Sequence, residues 1–217
     1  FLIRCSRGGT VAKEMLGETF EGILSTDRWS AYNWVSVLRQ LCWSHLLRAF
    51  QAFVERGGGS QRIGEAILAQ SALMFKWWHR ARDGTMTLAV FQGKMKPVQL
   101  HVVQLLRQGT TCAHAKTAGT CRDILKREAA LWTCIHMASV DPTNNLAERQ
   151  IRHGVRWRKV SFGTQSEAGS RFAERIMTVA ATLKQQQRNL LNYVTGACEA
   201  ANWNRPAPSL LPDAPIP

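Results

Sequence analysis

Acidic residues are scarce in this sequence: 15 Asp and Glu stand against 28 Lys and Arg, a formal charge of +13 over 217 residues. So one-sided a balance favours a polyanionic partner, nucleic acid first. Long apolar runs are missing too. No stretch approaches the roughly 20 apolar residues that span a bilayer, and no basic segment followed by an apolar one opens the chain, so nothing points to a membrane or to export. The six cysteines (Cys5, Cys42, Cys112, Cys121, Cys134 and Cys198) are scattered, without a CxxC pair. Reduced thiols in a cytosolic compartment are therefore expected rather than a disulfide framework. GxxxxGK[ST], GxSxG and HExxH are all absent, which leaves nucleotide-hydrolase, serine-hydrolase and zincin readings without support. There is no internal repeat.

What is present is enough to bury a core: 45% of the residues are apolar and 20% charged, as in a globular chain of one domain, or one domain with an insertion. Residues 1 to 56 alternate. "FLIRCS" reads as a strand, "TVAKEMLGE" as a helix, "EGILSTD" as a strand, "AYNWVSVL" as a short helix and "RQLCWSH" as a strand. "LLRAFQAFVER" then reads as a helix stopped at Gly57 to Gly59. Such alternation predicts an α/β sheet. From 57 to 139 the periodicity is helical, with Ile63, Ile67, Met74 and Trp78 on one face, a turn at Asp83-Gly84, and further helices in "PVQLHVVQLLRQ" and "CRDILKREAALWTCIHMA". This stretch is expected to be a helical insertion. After Pro142 the pattern predicts a helix over 144–153, a polar strand or loop at "RKVSFGTQSEAGS", and a long helix over about 170–203 with Phe172, Ile176, Val179, Leu183, Leu190 and Val194 as its buried stripe. A loose, Pro-rich tail is expected over 204–217.

Two carboxylates stand out. Asp27 closes the apolar run "GILSTD", at the carboxyl end of a strand, where open α/β sheets place ligand sites; the simpler reading is a turn-closing aspartate. Glu148 lies at the head of "NNLAERQIRHGVRWRK", capped by Asn144 or Asn145, and is followed by Arg149, Arg152, Arg156, Arg158 and Lys159 with no further acid. A surface helix with a Glu148–Arg152 pair is the plain account. The basic run interleaved with Trp157 suits phosphate contacts better. Carboxylates gathered from distant segments can hold Mg²⁺ or Mn²⁺, and two such ions can drive displacement at phosphorus. Cys42 and His45 in "CWSH" have a zinc-like interval but no second pair, so they read as structural residues at a strand-to-helix junction.

In order along the chain, "STDRWSAYN", "CWSHLLRAF", "PTNNLAERQIR" and "RKVSFGTQSEAGSRFAER" resemble the catalytic domain of the insertion sequence 66 (IS 66) family of bacterial transposases. The resemblance runs from residue 1 to about 203. It implies an RNase H-like α/β core (1–56 and 140–203), interrupted by the helical insertion (57–139) and carrying a long C-terminal helix. It also implies a DDE triad in which Asp27 matches the second aspartate and Glu148 the glutamate. The family's first aspartate belongs to a strand upstream of Phe1, and none of Asp83, Asp123, Asp141 or Asp213 replaces it by motif. The sequence departs from the family at His153-Gly154, where a proline usually follows "IR". The implied activity is cleavage and strand transfer of DNA with two Mg²⁺ (or Mn²⁺) ions bound by Asp27 and Glu148. The basic run would lie on DNA, in a homo-oligomer, with accessory proteins of the same element, in the bacterial cytoplasm at the nucleoid. Two other readings stay open: a non-catalytic DNA-binding remnant, and a helical assembly module of a transposase multimer.

Overall fold

The computed structural model describes residues 1–35 and 38–212. Ser36 and Val37 of the expected short helix, and Asp213 with the end of the expected tail, lie outside the described residues. The chain divides into a larger unit, Gly8–Leu146, and a smaller one made of Phe1–Arg7 with Ala147–Pro217.

The larger unit begins with α1 (Gly9–Leu16) and β1 (Leu24–Thr26), then a 3₁₀ turn over Ser30–Tyr32 and β2 (Arg39–Leu41). Four helices follow: α2 (Trp43–Glu55), α3 (Gly58–Arg82), α4 (Leu88–Gly109) and α5 (Ala115–Leu125). A second 3₁₀ turn and the short α6 (Thr133–His136) complete it. Helix α2 forms because Trp43, Leu46, Phe50 and Phe53 recur at three- and four-residue spacing, and all four are buried. It stops where Gly57 and Gly58 take positive φ (74° and 56°), a backbone that costs glycine little. Helix α3 then crosses α2 at Gly64, where a Cβ would come within 2.7 Å of the Phe50 carbonyl oxygen. Helix α4 starts nine residues earlier than the proline signal suggests: Thr87 caps it by accepting from the Val90 amide at 3.4 Å, and Pro97 sits inside the helix. The core is helix on helix, α2 packing on α3, α3 on α4 and α4 on α5, and the buried face of α2 joins Ile67 and Met74 of α3, Phe91, Met95, Val102 and Leu106 of α4, and Ile124 of α5 in one cluster.

This corrects the expected fold class. Among the described residues the only strands are β1 and β2, three residues each and parallel, in the register Leu24↔Arg39, Ser25↔Gln40 and Thr26↔Leu41. Helix, the 3₁₀ turns included, accounts for 66% of the described residues, and no RNase H-like sheet core is formed among them. Two short strands cannot enclose a core, and the apolar residues follow helical rather than alternating periodicity. "FLIRCS", the expected strand, has no strand pairing. It runs extended in the smaller unit, where the Ile3 amide donates to Glu174 Oε1 at 2.5 Å and Arg4 Nη1 to the same oxygen at 2.6 Å. These donors hold the Glu174 carboxyl below its ordinary range, the Ile3 amide contributing most.

The smaller unit contains most of α7 (Asn145–Ser161), then α8 (Glu167–Gln185) and α9 (Leu190–Asn202). "RKVS", expected as strand or loop, continues α7, which ends only where Phe162 and Gly163 adopt positive φ (58° and 80°). Gly154 does not end the helix; it faces Met177 of α8, whose thioether end occupies the space a Cβ would need. The expected single helix over 170–203 is two. Gln187 takes φ 56°, and Asn189 opens α9 by accepting from the Asn192 amide at 3.0 Å. The described part of the tail is extended but held: Tyr193 Oη donates to the Pro208 carbonyl (2.9 Å), Arg188 to Ser209 (3.0 Å) and Gln186 to Leu210 (2.9 Å). Among the described residues no helix is long and apolar enough to cross a membrane.

Candidate functional site

Because β1 and β2 are parallel, both chains leave the sheet at the same end, and Asp27 and Cys42 are the residues that follow. The Cys42 amide donates to the Thr26 carbonyl at 2.8 Å, extending the ladder past the last paired residues. The Thr26 hydroxyl donates to the Asp27 carbonyl (2.8 Å) and accepts from Arg39 Nη2 (3.2 Å). Asp27 Oδ1 accepts from the Trp29 amide at 2.9 Å, an Asx turn that starts the 3₁₀ segment. Only one carboxylate oxygen closes that turn.

The charge of Asp27 is felt nearby. Burial, then the Asp27 carboxylate, push the Tyr32 phenol up, with Arg39 opposing. Burial and the Arg127 guanidinium push Arg39 down, while Asp27 and Tyr32 hold it up. Asp123, set aside by motif, clamps this end of the unit: one oxygen accepts from Arg28 Nη1 at 2.8 Å and the other from Arg127. With both oxygens committed to arginines, Asp123 is a tie rather than an open ligand. Tyr32, Arg39 and Arg127 were not picked out by sequence reasoning, and the role of Asp123, set aside there by motif, was not visible either: no local pattern marks a pair such as Arg28 and Asp123, 95 residues apart.

The segment after the helical region returns to this strand end. Trp43 donates its amide to the Pro142 carbonyl (2.9 Å) and its indole Nε1 to the Leu131 carbonyl (2.9 Å). Its ring meets that of Trp132, centroids 5.3 Å apart. The buried Gln40 side chain donates to the Leu41 and Leu131 carbonyls and accepts from the Cys134 amide at 2.7 Å. The Cys42 sulfur, 1% exposed, accepts from the Asn144 amide at 3.4 Å, and Asn145 Oδ1 accepts from the Ser44 hydroxyl at 3.0 Å. Thus Cys42, Asn144 and Asn145 are brought together in the larger unit, with His45 one turn into α2.

Glu148 stands in the first turn of α7, in the smaller unit. Arg149, Arg152, Arg156, Arg158 and Lys159 are all exposed. Their spacing puts Arg149, Arg152, Arg156 and Lys159 on one side of α7 and turns Arg158 to the other. No residue of α7 is buried.

These features define a basic, largely helical chain with a carboxylate at a parallel strand end and a cation-faced helix. The family model described as the IS66 family of transposases matches residues 1–172, and the chain belongs to that family. It is 28% identical over 203 residues to the uncharacterized protein y4qI of Sinorhizobium fredii (strain NBRC 101917 / NGR234), with 85% of this chain and 36% of that protein covered. The chain thus spans about a third of the length of that relative. No solved structure matches it.

Proposed function

We propose that this chain works in metal-dependent phosphoryl transfer on DNA, the cleavage and strand transfer of transposition, with Asp27 and Glu148 each supplying a carboxylate. The observation carrying this reading is Asp27 itself: it ends a parallel strand and, among the described residues, keeps Oδ2 clear of any hydrogen bond while Oδ1 holds the turn. Carboxylate oxygens are the donors Mg²⁺ and Mn²⁺ prefer, so the residues fit such an ion. A bound divalent ion would activate the attacking hydroxyl and stabilise the leaving oxygen. The chain's own share is to fix Asp27 through Thr26 and the Trp29 amide and to neutralise phosphates. Arg149, Arg152, Arg156 and Lys159 cover about 15 Å of helix, at 1.5 Å per residue, the length of about four nucleotides of duplex at 3.4 Å each.

The test is Mn²⁺ titration by calorimetry alongside strand transfer on element-end DNA. Asp27→Asn and Glu148→Gln are each expected to weaken Mn²⁺ binding at least about ten-fold, since even outer partners of a metal site contribute that much, and to abolish transfer. If both variants transfer DNA normally, the catalytic reading falls; if the wild type binds DNA without cleaving it, the chain is a binding module.

A further inference from the structure

The smaller unit contains two adjoining concavities that the proposed chemistry does not use. The larger, about 1000 Å³, lies between the extended N-terminal segment, the Phe162–Gly163 turn and the start of α8. The smaller, about 320 Å³, shares Ile3, Arg4, Arg158, Gly163 and Thr164 with it and is otherwise walled by apolar groups, among them Ile151, Val155 and Met177. A cationic groove therefore runs into an apolar recess.

The charges of the groove do not cancel. Four arginines line it (Arg4, Arg158, Arg171 and Arg175) against Glu167 and Glu174. Glu174 is taken by Arg4 and the Ile3 amide, and Glu167 by Arg171 one turn on. Among the described residues Arg158 and Arg175 have no carboxylate partner. Thr164, Ser166 and Ser170 add hydroxyls beside them. Phe162 also lines the groove, yet its ring is 87% exposed. Burial does not account for an aromatic held at φ 58° in water. Free guanidinium groups next to an uncovered aromatic face are what a nucleic-acid strand with unstacked bases needs: phosphate neutralisation and a stacking surface. A duplex keeps its bases stacked inside and has no use for the ring.

We propose that this groove binds single-stranded DNA, with phosphates on Arg158 and Arg175 and an unpaired base stacked on Phe162. The proposal rests on DNA being the partner, and adds that a separated strand is held apart from the duplex. It is tested by fluorescence anisotropy on the full chain in EDTA. The ligands are an oligothymidylate of about 16 nucleotides, near the upper site size of one single-strand module, and a hairpin duplex of equal length. Phe162→Ala is expected to weaken oligothymidylate binding about ten-fold, within the range for losing one base–aromatic stack, and duplex binding less than about two-fold. Phe162→Trp restores it. Arg175→Gln lowers the salt slope for the single strand by about 0.7, with the thermal midpoint of each variant confirming the fold. An equal loss on both DNAs, no loss on either, or competition by oligoglutamate as effective as by oligothymidylate overturns the proposal. Because EDTA removes divalent ions, failure here is read separately from failure of metal-dependent cleavage.

Discussion

In the larger unit Trp43, Phe50, Phe53 and Phe91 are at most 1% exposed, whereas in the smaller unit Trp157, Phe162, Phe172 and Trp203 are 41 to 87% exposed. Both regions are rich in large apolar side chains, and they use them differently. In the first, four helices close over one continuous core. In the second, the buried apolar side chains among the described residues are Ala173, Leu183 and Ala200, and aromatic rings alternate with arginines at the surface. Burial stabilises a fold at about 25 cal/mol per Å² of apolar surface; rings left in water contribute nothing comparable and remain available for contact. The contrast separates a part of the chain that buries its aromatic rings in one core from a part that leaves them in water.

The strongest way to break this contrast is at Trp43. Trp43→Ala removes a buried ring, the indole bond to Leu131 and the packing on Trp132, and is expected to cost the larger unit about 3–5 kcal/mol; Trp203→Ala should stay within about 0.5 kcal/mol. Chemical denaturation followed by circular dichroism compares them, and equal costs would erase the distinction. Next, Gly64→Ala drives a methyl group into the Phe50 carbonyl and the Phe53 and Val54 side chains, with an expected loss of about 1–3 kcal/mol in the same assay. Gln40→Leu, which strands the Cys134 amide while Trp43 still serves the Leu131 carbonyl, should fall in that range as well.

A smaller effect comes from pH. Burial pushes the Cys134 thiol up to about 12 and the Cys121 thiol up to about 11, so both stay protonated in the folded larger unit after the unfolded chain has begun to ionise. Stability from these thiols is complete below the unfolded pKa and is lost as pH rises toward the folded values, by up to about 1.4 kcal/mol per pH unit per group. Thermal melts from pH 8 to 11 should show this decline, and Cys134→Ala should reduce it. Least of all should stability respond to the paired change Arg152→Ala and Arg156→Ala, which is expected to leave the melting curve unmoved. It should lower the slope of log affinity for duplex DNA against log salt by about 0.9 per residue. A large stability loss there would show that α7 serves packing instead.

Legibility in the sequence followed the range of the interactions. The apolar spacing of α2, its stop at Gly57 and the strand that ends beside Asp27 rest on neighbours in the chain, and the sequence reading located them; the second strand was drawn through "CWSH", whereas it ends at Leu41 and α2 already begins at Trp43. "FLIRCS" was misread because a short apolar run does not distinguish a sheet strand from an extended segment bound to a helix. The division between α8 and α9 has no Gly or Pro to announce it; its visible trace is Asn189, a good N-cap residue in mid-pattern. At the strand end, Asp27, Cys42, Asn144 and Asn145 were picked out by type and motif, while Arg39, Arg127 and the arginine ties of Asp123 came into view only with the chain folded.

The bonds from Trp43 to Pro142 and from Asn144 to Cys42 tie together points about a hundred residues apart, and this sets a sequence of events in time. Pairs such as α2 with α3 and α3 with α4 join through short connections and can form early, because little loop entropy is lost in closing them. The tie at the strand end can close only after everything between its partners has collapsed. In refolding followed by hydrogen exchange, the Trp43 and Asn144 amides should therefore gain protection after those of α3 and α4. The head of α2 is then the last part of the larger unit to become native, and the first to be exposed when the chain begins to open.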